Sequence, residues 1–126
     1  MRLDDTIVAV SSPPGRSRRG LVRISGPDAF AIADQFVDAR STDARVLSPA
    51  VLRLPALSGG TMHLPVLTAR FAAPRTFTGH DLVELQCPGH PALLDRVVHR
   101  VVELGARLAE PGEFTFRGYA AGKLDL

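Results

Sequence analysis

The chain has no tryptophan, one tyrosine, one lysine and a single cysteine in 126 residues. A lone Cys87 excludes an internal disulfide, and with it the stapled framework of small secreted proteins. No run approaches the ~18 apolar residues needed to span a bilayer. Met1-Arg-Leu-Asp-Asp5 opens without the apolar stretch of a signal peptide. The expectation is a soluble, cytoplasmic protein with no membrane contact. The phosphate-cradling Gly-x-x-x-x-Gly-Lys-Ser/Thr loop is also missing. Residues 11–20 hold glycine and arginine but do not lead into a helix, and no Gly-x-Gly-x-x-Gly follows a strand. No GTP site, and no nucleotide hydrolysis, is expected of this chain.

The residues present suit a folded core. Apolar residues make up 45% and charged residues 22%, ordinary for a globular chain. Residues 1–126 are expected to form a single domain, long enough to bury roughly two-thirds of the unfolded surface. The net charge is +2 and the isoelectric point near 9.3, too mild to argue for nucleic acid by itself. Of the fifteen basic residues, fourteen are arginine and one is Lys123.

Apolar periodicity places strands at 6–10, 21–25, 51–54, 66–71, 81–86 and 107–110, with a loop over 11–20. A helix is predicted from Gly26-Pro27-Asp28 to about Asp38, with Phe30, Ala33 and Val37 as its apolar stripe. A longer one runs from Pro91 to about Leu104. Its buried stripe is Leu94, Val97, Val98, Val101, Val102 and Leu104, and Gly105 caps it. The last helix spans about 113–121. The fold class is α+β, a mixed sheet with about three helices packed on it.

Several groups invite a chemical reading. His80, Cys87 and His90 lie within eleven residues, but the fourth ligand of a zinc site is missing, so no metal is expected. Cys87 and His90 lack a third, orienting group for nucleophilic catalysis, and no catalytic residue is assigned. Arg16-Ser-Arg-Arg19 suits either a solvated loop or a contact to phosphates. Arg23 sits inside an apolar strand, where an unpaired charge is costly. Glu84 lies mid-strand in the same situation. They are either an ion pair with each other or part of a ligand site.

Three blocks carry a further pattern. The first is Asp5-Thr-Ile-Val-Ala, Pro13-Pro-Gly-Arg16 and Gly20-Leu-Val-Arg-Ile-Ser-Gly26. The second is Phe77-Thr-Gly79 with Asp81-Leu-Val-Glu-Leu-Gln86. The third is Pro111-Gly-Glu-Phe-Thr-Phe-Arg117 with Gly122-Lys-Leu-Asp-Leu126. In this order and spacing the chain resembles the N-terminal domain of the MnmE/TrmE family of tRNA wobble-uridine modification GTPases. The resemblance implies a fold related to folate-binding aminomethyltransferase domains, and a homodimer. It implies 5-formyl-tetrahydrofolate bound near the dimer interface by residues matching Arg23, Glu84 and Lys123. In complete family members, folate supplies a one-carbon unit. A GTPase domain and the flavoprotein partner MnmG then help build an aminomethyl-type group on the tRNA wobble uridine. Neither the GTPase domain nor the helical domain of the family lies within these residues. The chain departs from the family pattern at His80, at Cys87-Pro-Gly-His90, at Arg16–Arg19 and at residues 118–121. A dimerisation remnant without folate is therefore the competing class of function. A free-standing aminomethyltransferase-like enzyme ranks last, for want of an acid, base or nucleophile set.

Overall fold

β-Branched runs separated by proline- and glycine-rich turns dictate a strand-dominated chain, and the computed structural model, which describes residues 2–13, 15–39 and 45–122, shows one. The strands are β1 (Ile7–Val10), β2 (Ser17–Ser25), β3 (Val37–Ala39), β4 (Ser48–Pro55), β5 (Thr61–Phe71), β6 (Leu82–Gly89) and β7 (Arg107–Leu108). The helices are α1 (Ala29–Asp34), α2 (Pro91–Glu103) and α3 (Glu113–Ala120). All seven strands join one sheet in the order β3-β4-β5-β6-β2-β1-β7. The β1–β7 pair is parallel and the others antiparallel. The architecture is α+β with a mixed sheet, as the sequence predicts.

Period-two alternation divides the sheet into a dry and a polar face. Val22 and Ile24 of β2 and Val83, Leu85 and Cys87 of β6 are fully buried. With Ala29, Ile32 and Ala33 of α1 and Leu94, Val97 and Val101 of α2 they belong to one core cluster. Each fully buried aliphatic side chain contributes about 1.5–3 kcal/mol, so this face sets the register. The alternate positions Leu21, Arg23, Glu84 and Gln86 are only half-buried.

Three expectations are corrected. Residues 17–20 are strand rather than loop: Ser17, Arg19 and Gly20 pair with Gly89, Pro88 and Cys87, across an irregularity between Ser17 and Arg19. Glycine permits that pairing, because a Cβ on Gly89 would stand 2.2 Å from the Ser17 carbonyl oxygen. The first helix ends at Asp34, not near Asp38. Val37 leaves it to pair with Leu52, and the Arg53 N–H donates to the Phe36 carbonyl at 2.8 Å. Phe36 and Val37 stay buried, as edge of the sheet rather than as helix stripe. Val102 is exposed, since it stands about 100° around the helix from Val101.

Candidate functional site

β2 and β6 are neighbours whose register sets Arg23 directly opposite Glu84. On the polar face these side chains therefore meet, as cross-strand partners do. The contact is loose. Arg23 Nη2 lies 3.8 Å from Glu84 Oε1, and the side chains are 36% and 20% exposed. That distance is an ion pair without a hydrogen bond. Among the described residues Arg23 Nε is buried with no hydrogen-bond partner, a state that costs about 1–3 kcal/mol when nothing relieves it.

The loop over 72–81 closes one side of this pair. Buried Thr78 shares a 2.6 Å hydroxyl–hydroxyl hydrogen bond with Ser25 of β2, and the Thr76 hydroxyl donates to the His80 carbonyl at 2.6 Å. With both threonines anchored inward, Phe77 between them turns outward and is 40% exposed. Gly118 of α3 lies against it: a Cβ there would be 3.0 Å from Phe77 Cζ. Arg23, Phe77, Leu82, Glu84 and Phe114 thus enclose a cavity of about 250 Å³. A second, of about 440 Å³, shares Phe77, Leu82 and Glu84 and adds Arg45, Phe71, Arg75 and Thr76. A third, of about 470 Å³, shares Arg23, Phe77 and Phe114 and runs along residues 109–115. A larger cavity, about 640 Å³, lies apart between Leu57 and the polar side of α2. Apart from Arg100 Nε, on the α2 side, it shows no buried polar group without a partner among the described residues.

α3 is held by charges that inspection of the sequence alone did not single out. Arg117 is 1% exposed and the Glu113 side chain 0%. Arg117 Nη2 donates to Asp5 Oδ1 at 2.6 Å and Nη1 to the Asp5 carbonyl at 2.7 Å. Arg107 donates to both Asp5 and Glu113, at 2.8 and 2.7 Å. Hydrogen bonds from Arg107 hold the Asp5 and Glu113 carboxyls below the usual range, and Arg117 helps. The Glu113–Arg117 spacing of four residues on a helix was the available signal. Asp5, more than a hundred residues away, gave none.

Of the three residues that the resemblance assigns to folate, Arg23 and Glu84 come together, and Lys123 lies outside the described residues. His80, Cys87 and His90 do not converge. His80 Nδ1 is 3.5 Å from Arg117, His90 Nε2 is 3.5 Å from Arg16, and Cys87 points into the core. Among the described residues no cluster of three His, Cys, Asp or Glu side chains has metal-holding geometry.

Fold and site together define an α+β chain with one dry sheet face and, on the other, an arginine–glutamate pair beneath phenylalanines. The chain belongs to the family described as "GTP-binding protein TrmE N-terminus", whose model matches residues 6–123. It is similar to proteins called tRNA modification GTPase MnmE. It is 40% identical to that of Koribacter versatilis (strain Ellin345) over 128 residues, covering 100% of this chain and 28% of the relative. Against that of Thiobacillus denitrificans the identity is 45%, covering 97% and 26%. Against that of Thermus thermophilus it is 43%, covering 100% and 29%. The chain thus spans between a quarter and a third of the length of these relatives.

Proposed function

We propose that residues 1–126 are the folate-binding and dimerisation module of a tRNA wobble-uridine modification GTPase, holding 5-formyl-tetrahydrofolate with Arg23, Glu84 and Lys123. The observation that carries this reading is the buried Arg23 Nε, without a partner among the described residues, beside a carboxylate it does not hydrogen-bond. A structural ion pair closes to hydrogen-bond distance, whereas a pair that serves a ligand keeps donors and acceptors free. Glu84 can accept two hydrogen bonds from the amino and ring N–H groups of a pterin. Arg23 retains donors for the formyl oxygen or a carboxylate, and Phe77 and Phe114 offer faces to a flat ring. Lys123 supplies a compact ammonium. When bound, the folate supplies a one-carbon unit. The GTPase reaction and tRNA enter with the whole protein, in keeping with the name its relatives carry, and the flavoprotein MnmG and a cytoplasmic site of action belong to the same reading. On this reading the fold of the chain itself is related to folate-binding aminomethyltransferase domains.

Calorimetric titration of the chain with 5-formyl-tetrahydrofolate tests the reading. Glu84→Gln is expected to weaken binding roughly tenfold or more. Because a half-exposed pair is worth about 0–1 kcal/mol, the melting temperature should fall by only a few degrees. Absence of any binding, with a large loss of stability in the variant, would return the pair to a structural role.

A further inference from the structure

The geometry points to an oligoanion subsite at Arg45 and Arg75 that receives the glutamyl tail of the folate and favours tails with several glutamates. The inference rests on the folate reading above. It concerns which end of the ligand goes where, and which form of the ligand is preferred.

The Arg23–Glu84 cavity continues in two directions, and their charges differ. Towards residues 109–115, Arg23 is the only cation among the described residues lining the way, and Glu110 and Glu113 line it too. Towards the β5 end the lining carries Arg45 and Arg75, with Glu84 itself the only acid among the described residues. Neither guanidinium forms an ion pair among the described residues, where Arg53, Arg70, Arg107 and Arg117 all do. Arg45 is nonetheless held in place. Its N–H donates to the Arg70 carbonyl at 2.9 Å, its Nη2 donates to the Arg75 carbonyl, and its guanidinium lies 5.7 Å from the centre of the Phe71 ring. Phe71 and Phe77 line the same cavity. One cavity is thus lined by an acceptor for ring donors, by aromatic side chains and by two cations. A folate carries the matching groups: pterin donors, an aminobenzoyl ring and carboxylates. Each added glutamate brings one more negative charge, so the tail gains from two cations what the ring end cannot.

The test is titration of the chain with 5-formyl-tetrahydrofolate carrying one or three glutamates, at low and high salt. The triglutamate is expected to bind about three- to tenfold tighter at low salt, with the gap closing at high salt. Arg45→Gln with Arg75→Gln should abolish the gap by weakening the triglutamate more than the monoglutamate, and the monoglutamate binding that remains also reports a folded variant. Arg45→Lys with Arg75→Lys should retain much of it. Equal binding of both forms by the unaltered chain overturns the subsite while leaving the folate reading intact. A gap that survives the glutamine variants overturns it too. Failure of both forms to bind defeats the folate reading and the subsite together.

Discussion

Cys87 shows how a residue's environment overrides its chemistry. It is 0% exposed within the core cluster, and burial pushes its thiol up to about 12. The thiolate is the nucleophile, so a buried thiol with so high a pKa is inert near neutrality. Iodoacetamide at pH 8 is expected to leave Cys87 unmodified in the native protein and to label it fully in denaturant. Native labelling at the rate of a free thiol would contradict this placement. Arg23 is the opposite case, a charge kept half-exposed on the polar face, where a partner can still reach it.

At the scale of elements, the Asp5–Arg107–Glu113–Arg117 cluster joins the N-terminal segment, β7 and α3. Removing one member leaves buried charge uncompensated, so Arg117→Met is expected to destabilise by about 3–5 kcal/mol in denaturant titration. The pH dependence follows from the directions of the shifts. The Asp5 and Glu113 carboxyls are held below their ordinary values of 3.8 and 4.5. The stability they supply is present above those values and is lost as pH falls through the depressed ones. His80 adds an earlier loss. Burial first, then the Arg117 charge, hold its pKa below the ordinary 6.5, with Asp81 opposing. The unfolded chain therefore takes up the proton first, and stability falls as pH drops below about 6.5. Melting curves from pH 8 to pH 3 should show the upper phase and the onset of the lower one, and His80→Asn should remove only the upper one. A variant with the same upper phase would assign it elsewhere.

For the whole molecule, both edges of the sheet are blunt: β3 has three residues and β7 two. Short edges resist strand-to-strand association. If the chain pairs with a second copy, as we propose, it should do so through a self-complementary surface with two-fold symmetry. Phe77, Phe116 and Tyr119 are 40–46% exposed on and beside α3. Light scattering at high micromolar concentration is expected to give twice the chain mass of 13.5 kDa. Monomer throughout that range would count against the dimer.

The amino-acid order alone determined what depends on near neighbours. α2 was legible because Pro91, the stripe from Leu94 to Val101 and Gly105 repeat one local signal. The strands expected at 51–54 and 66–71 were legible from their apolar runs and lie within β4 and β5. Arg23 and Glu84 stood out because alternation made each a charge within an apolar strand, although alternation cannot say what a strand pairs with. Other features were settled only by tertiary structure. Ser17–Gly20 became strand because β6 offered it a partner, and Val37 left a helix because Leu52 lay beside it. Arg45 and Arg75 share a cavity with Glu84, and Asp5 meets Arg117 across 112 positions. Those contacts are set by sheet order and register, which arise when the whole dry face is buried at once and leave no mark in any short window of sequence.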